Sequence, residues 1–182
     1  KEDKKLIICH IGSGGSVSAV SNGKCVDTSM GFTPNAGIIM GTRCGDIDAS
    51  IIPYMMNVAN MTTFDIDKAI NKQSGFVGIS GGISDSRDIE DGIKAGNERC
   101  LLAQNMFVKS VVSFIAKYYV ELGGCDAIVF TAGIGENSIL TRQQIMESLE
   151  CLGVKIDNEA NNIRGDFRKI SSDDSKIECF LV

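Results

Sequence analysis

Apolar and polar positions change period several times along this chain. Leu6-Ile-Ile-Cys9 is a short apolar run, and Ser16-Val-Ser-Ala-Val20 alternates with the period of a half-buried strand. Asn22-Gly23 is a two-residue hairpin signal, and Lys24–Thr28 reads as the returning strand. The opening of the chain therefore predicts an antiparallel meander whose first turn is Gly12-Ser-Gly-Gly15. Gly31–Gly45 reads as loop, with four glycines and one proline. Helices are predicted from Asp46, as cap, to about Asn57 with a kink at Pro53, and from a cap at Thr63 or Asp65 to Gln73, ended by Gly75. Phe76–Ile79 reads as a brief extended piece. Ser84 or Asp85 caps a helix over Ser86–Ala95, and Asn97 caps the longest helix, which ends at Gly123-Gly124. The strand Asp126–Thr131, a helix over Ser138–Leu152 and a last strand over Lys176–Val182 complete the pattern. The order predicts an α/β fold with mixed strand directions. Because the pattern already begins in a strand and stops in one, it also predicts a piece of a larger protein.

Four glycine-rich or charged segments are candidates for chemistry. Gly133–Asn137 lies between a buried strand and a predicted helix start near Ser138. Backbone amides there face the positive end of a helix dipole, an arrangement that receives phosphate or the polar edge of a nucleotide. His10-Ile-Gly-Ser-Gly-Gly-Ser16 is a turn of small residues whose amides can approach an anion, with Ser13 and Ser16 as hydroxyl donors. Arg43, in Met40-Gly-Thr-Arg-Cys-Gly45, has a planar fork suited to a phosphoryl group; the plainer reading is a salt bridge to Asp46 or Asp48. In Ser80-Gly-Gly-Ile-Ser-Asp-Ser-Arg-Asp88, Asp85 can cap amides or accept from a ribose or adenine. Arg87 can lie against a base, and here the plainer reading is a capping motif with a surface arginine.

Composition narrows the chemistry. The 182 residues are 43% hydrophobic and 23% charged, suited to one domain. The net charge of −5 comes without a basic stripe, which argues against nucleic acid as a partner. Lys1–Lys5 leads directly into a strand and does not read as a signal peptide. The apolar stretch Leu101–Val120 is interrupted by Gln104, Asn105, Lys109 and Lys117, so it predicts a buried helix and not a membrane span. Seven cysteines with no Cys-x-x-Cys pair read as reduced thiols of a cytoplasmic protein, and with a single histidine no metal site is expected within the chain. Val17 stands where a Rossmann fingerprint needs glycine, and neither a Walker A loop nor a Gly-x-Ser-x-Gly elbow occurs. Distributed glycine turns, one loop arginine and no strong base suit phosphoryl transfer, which depends on positioning and charge stabilisation.

Five blocks taken together resemble the acetate kinase family. They are His10-Ile-Gly-Ser-Gly14, Asp27-Thr-Ser-Met-Gly-Phe-Thr-Pro34, Met40-Gly-Thr-Arg-Cys-Gly-Asp-Ile-Asp48, Ser84-Asp-Ser-Arg-Asp-Ile89 and Phe130-Thr-Ala-Gly-Ile-Gly-Glu-Asn-Ser138. They occur in the family's order. The second and third argue against butyrate kinases, whereas propionate kinases share nearly all of them. The resemblance implies an actin/hexokinase/Hsp70-like (ribonuclease H-like) ATPase fold, a mixed sheet flanked by helices. It implies that residues 1–182 are a single C-terminal nucleotide-binding lobe of a two-lobe kinase, without the N-terminal lobe and the extreme C-terminus. The activity implied is ATP + acetate ⇌ ADP + acetyl phosphate with Mg²⁺, in a cytoplasmic homodimer. The alternatives are a propionate kinase or a non-catalytic nucleotide-binding or dimerisation module. By the resemblance, His10, Ile11, Gly12, Ser13 and Gly14 line the phosphates. Asp85, Ser86 and Arg87 hold the adenosine side with Gly133, Ile134, Gly135, Glu136 and Asn137, and Arg43 stabilises the transferring phosphoryl. Ser13 stands where the family's first block carries asparagine.

Overall fold

Side-chain alternation builds the sheet as the pattern predicts. The computed structural model describes residues 4–182, so the charged opening at Lys1–Asp3 lies outside the described residues. Strand β1 (Lys5–Ile11) buries Ile7, Cys9 and Ile11 on one face, and β2 (Gly15–Ser21) buries Val17 and Ala19. The two pair antiparallel from Lys5↔Ser21 to Ile11↔Gly15. Asn22 and Gly23, at φ 53° and 76°, make the left-handed pair that a type I′ turn demands and lead into β3 (Lys24–Thr28). On the other side of β1, β4 (Ala127–Thr131) runs parallel. The chain then passes through β5 (Arg168–Lys169) before β6 (Glu178–Leu181), which lies parallel to β4 and antiparallel to β5. The order β3-β2-β1-β4-β6-β5 is a mixed sheet flanked by helices.

The helices depart from the sequence reading in instructive places. Helix α1 spans Ile51–Asn57, with Ser50 and not Asp46 at its start. Asp46 instead accepts from the Gly37 amide at 2.8 Å and ties the preceding loop together. Helix α1 runs unbroken through Pro53, which falls in the first turn, where amides have no intrahelical acceptor. Helix α2 (Thr63–Lys72) is capped by Thr62, whose hydroxyl accepts from the Asp65 amide while Asp65 accepts from the Thr62 amide.

The predicted extended piece at Phe76–Ile79 is helical: α3 covers Gly75–Ser80. A short apolar run does not distinguish strand from buried helix. Here the tertiary setting decides, because the amides of Ser74, Phe76 and Val77 donate to the carbonyls of Thr42, Met40 and Gly41 at 2.9–3.0 Å. Gly75 therefore does not end α2 but starts α3, at φ 62°, and a Cβ there would stand 2.0 Å from the Met40 carbonyl oxygen. Gly75→Ala is expected to cost roughly 2–4 kcal/mol through left-handed strain and displacement of the Met40–Thr42 loop. A thermal melt within about 2 °C of the unmodified chain would contradict this.

Helix α4 (Ser86–Lys94) follows the Asp85 cap, and α5 (Glu98–Glu121) follows the Asn97 cap, both as expected. Helix α5 has the length and apolar composition of a membrane span. In this fold one face, including Phe107, Val111, Ile115 and Tyr118, is buried, and the helix contacts β1, β2, α3, α4 and the later helix α7 (Ile139–Ser148). The predicted helix over Ser138–Leu152 is instead α7 followed by a 3₁₀ turn at Glu150–Leu152, with left-handed Gly153 past its end. The glycine turn before it is also helical: Gly133–Asn137 belongs to α6 (Ala132–Asn137), entered through Ala132 at φ 66°. A single turn, α8 (Asn158–Asn161), precedes β5. All seven cysteines are free thiols, and burial pushes Cys125 up to about 11 and Cys179 up to about 12.

Candidate functional site

The hairpin between β1 and β2 is the first wall of the site. Gly12 donates to the Gly14 carbonyl at 2.9 Å, which closes the turn. The amides of Ser13 and Gly14 have no acceptor among the described residues. The start of α6 approaches from β4, beside β1: a Cβ on Gly12 would lie 3.7 Å from the Ala132 Cβ and 3.8 Å from the Gly133 nitrogen. The Met40–Arg43 loop comes from the third direction. The Gly41 amide donates to the Ser13 carbonyl at 3.1 Å, and a Cβ on Gly41 would meet the carbonyl oxygens of Ser84 at 3.1 Å and Ser13 at 3.3 Å. Glycine is needed there because two backbones converge on it. The four segments singled out in the sequence thus meet at one place.

Between them lies a cleft of about 440 Å³. Its lining includes Gly12 and Ser13 from the hairpin, Asp85, Ser86 and Arg87 from the start of α4, and Gly133, Ile134 and Asn137 from α6. It does not include the other predicted residues. His10 is exposed on β1 beside Thr131 and Ser16, and Ile11 is fully buried in the core. Gly135 is buried where a Cβ would press on Ile11 at 3.3 Å, so its smallness serves packing. Glu136 contributes a carbonyl to internal hydrogen bonds, and Gly14 lies under the Arg43 guanidinium.

Arg43 makes neither of the salt bridges that the plainer reading offers. Its NH1 donates to the Pro34 carbonyl at 3.0 Å and contacts the Met40 sulfur, and a Cβ on Gly14 would stand 3.2 Å from NH1. Asp48 instead accepts from the Ser50 amide. Arg43 therefore stands against the hairpin tip, beside the cleft and not in its lining.

Asp85 and Arg87 satisfy the capping reading in full. Asp85 accepts from the Arg87 amide at 2.9 Å and from its guanidinium at 3.0 and 2.6 Å, which holds the Asp85 carboxyl at about 2 against an ordinary 3.8. A depressed folded-state value makes this contribution complete above pH 3.8 and lost as pH falls through about 2. Asp85→Asn is therefore expected to flatten the fall in melting temperature between pH 4 and pH 2; an unchanged slope would contradict it. Asn137 does not cap α7. Its amide donates to the Gly133 carbonyl at 2.9 Å, and Ser138 is the cap, accepting from the Thr141 amide.

Sequence reasoning missed Gly41, Phe76, Ser84, Glu90, Ser138 and Arg164 in the lining, and the buried Arg142 behind it. Phe76 is carried in by α3 and rests on Phe107, ring centroids 5.1 Å apart. Arg142 is fully buried and donates five hydrogen bonds of 2.8–2.9 Å. Its partners are the carbonyls of Gly135, Glu136, Asn161 and Ile163 and the Asn161 side chain, with no carboxylate among them. Burial pulls its ionisation down to about 10, still well above neutrality. It ties α6 to the segment that brings Arg164 to the cleft. No spacing in Thr141-Arg-Gln-Gln144 signals a buried guanidinium.

The fold is that of one part of the small-carboxylate kinases. Over its full length the chain superimposes on 46% of the crystal structure of Porphyromonas gingivalis acetate kinase, at a TM-score of 0.96 and 40% identity. It superimposes on 46% of a propionate kinase from Francisella tularensis, at a TM-score of 0.94 and 37% identity. The chain belongs to the acetokinase family, whose model matches residues 1–182. It is 50% identical over 181 residues to the acetate kinase of Clostridium novyi, covering 100% of this chain and 45% of that protein. The chain spans a little under half the length of the curated relatives it matches.

Proposed function

We propose that the chain is the C-terminal nucleotide-binding lobe of an acetate kinase, a phosphotransferase that passes the ATP γ-phosphoryl to acetate and releases ADP and acetyl phosphate. The observation that carries this reading is the convergence of the hairpin, the Met40–Arg43 loop, the Asp85–Arg87 cap and the start of α6 on one cleft. The unused Ser13 and Gly14 amides suit the phosphates, and Asp85, Arg87 and Asn137 suit the adenosine side. A carboxylate acceptor is already anionic, so no base need remove a proton. The requirement is to suppress repulsion between two anions, and Arg43 supplies a fixed positive charge for that. Mg²⁺ accompanies ATP in this reading. Among the described residues no group of three or more His, Cys, Asp or Glu side chains could hold a metal, so these residues do not by themselves fit a protein-only magnesium site.

Calorimetry with ADP and hydroxylamine trapping of acetyl phosphate test the reading together. The chain is expected to bind ADP and to be inactive alone, and to turn over when joined to the other half that its relatives possess. Turnover by this chain alone would mean that the catalytic groups are misassigned. Comparing acetate with propionate separates the two carboxylate kinases.

A cytoplasmic homodimer belongs to the same proposal. Its support is the exposure of Leu101, Leu102 and Met106 on α5, apolar area beyond what the core face uses. Sedimentation at micromolar concentration is expected to give a dimer; a monodisperse monomer would overturn it.

A further inference from the structure

We propose that Asp46 is a positioning residue for Arg43. By fastening to Gly37 it fixes the guanidinium relative to the Pro34 carbonyl that anchors it, and it keeps its own carboxylate off that guanidinium. This rests on the reading of Arg43 as the charge that meets the transferring phosphoryl, and it adds the residue that holds Arg43 in place.

Two hydrogen bonds join the ends of the loop that carries Arg43. The Gly37 amide donates to Asp46 Oδ1 at 2.8 Å, and the Asp46 amide donates to the Gly37 carbonyl at 2.9 Å. The two legs pass each other as bare backbone. A Cβ on Gly45, at φ 70°, would lie 2.6 Å from the Gly37 carbonyl oxygen. Arg43 stands three residues before Asp46, and Pro34 stands three residues before Gly37. The Pro34 carbonyl accepts from Arg43 NH1 at 3.0 Å. The Asp46–Gly37 pair therefore sets the spacing between the guanidinium and its anchor.

The two legs differ in footing. On the Gly37 leg, Ile38 is fully buried and the Ile39 amide donates to Ser110 of α5 at 3.2 Å. The leg behind Arg43 leads out to α1 and α2, which between them bury only Ile66, and its Cys44 amide donates to the Ile70 carbonyl of α2 at 2.9 Å. Asp46 joins this second leg to the first and carries the rigidity of the core across to Arg43. Asp46 is also the carboxylate closest to Arg43 in the chain, yet no ion pair forms between them. With Oδ1 given to the Gly37 amide, the carboxylate is held on backbone and the charge of Arg43 stays available.

A double-mutant cycle in the joined, full-length protein tests this. Asp46→Ala, at an exposed position, is expected to lower kcat by roughly 10- to 10²-fold, the scale of a small misplacement of a catalytic group, with KM for ATP changed by less than about threefold. In the Arg43→Ala background the same substitution is expected to change kcat by less than about twofold, because no guanidinium is left to misplace. Asp46→Asn keeps the reach and the acceptor oxygen without the charge and is expected to hold kcat within about threefold. Asp46→Glu keeps the charge on a longer arm and is expected to fall as Asp46→Ala does. Circular dichroism melts identify the folded variants, and the Asn and Glu pair carries the test if Asp46→Ala does not fold. An unchanged kcat in folded Asp46→Ala, a fall of equal size with Arg43 present or absent, or a Glu variant faster than the Asn variant overturns the positioning role and leaves the Arg43 reading intact. An unchanged kcat in Arg43→Ala overturns the Arg43 reading and this inference with it.

Discussion

Arg43→Ala in the joined, full-length protein is expected to lower kcat by roughly 10³-fold, the scale seen for arginines that stabilise a transferring phosphoryl group. The reason is geometric. The guanidinium rests on Gly14, where any side chain would displace it, and its NH1 is anchored by the Pro34 carbonyl. No carboxylate within ion-pair distance neutralises it among the described residues. Its charge is therefore available at the hairpin tip, next to the unused amides of Ser13 and Gly14. Steady-state kinetics with both ATP and acetate varied checks the role. A change confined to KM would assign Arg43 to uniform binding and remove it from transition-state stabilisation. Arg43→Lys is expected to recover only a small part of the rate, because an ammonium keeps the charge but loses the fork.

The largest expected effect on stability is at Arg142. Arg142→Ala is expected to cost roughly 3–5 kcal/mol, because the carbonyls of Gly135, Glu136, Asn161 and Ile163 would lose their buried donor. In a chain of this size that corresponds to a fall in melting temperature of roughly 6–20 °C. Arg142→Lys is expected to lose most of the same stability, since three donors on one nitrogen cannot reach partners spread over five fork positions. A melting temperature within about 2 °C of the unmodified chain in both variants would contradict the account. Because the same guanidinium connects α6 to Asn161 and Ile163, ADP affinity is expected to weaken in any variant that remains folded.

Much of the site was legible because its chemistry is local. The Gly12–Gly14 and Asn22–Gly23 turns, the Asp85 and Asn97 caps and the strand before Ala132 are each set by residues within a few positions of one another, and each forms as read. The errors share a cause. Phe76–Ile79 is a helix because three amides find carbonyls more than thirty residues upstream. The Asp46 side chain caps a loop and not a helix because Gly37 is brought to it. Glycines of similar appearance also divide by depth: Gly12 and Gly133 line the cleft, whereas Gly135 serves β1 packing.

The amino-acid order by itself determined the α/β class, the opening meander, most helix starts and, through five short blocks, the family. Those features depend on backbone preference and side-chain period, which act over one turn or one strand. Only the tertiary structure decided that Arg43 stands beside the cleft while Arg87 lines it. It alone decided that Glu90 points inward from a helix that reads as a plain capped surface helix, and that Arg142 is a buried strut and not a surface charge. Burial and direction of a polar side chain are set by what folds against it, and for these residues the partners lie on other elements.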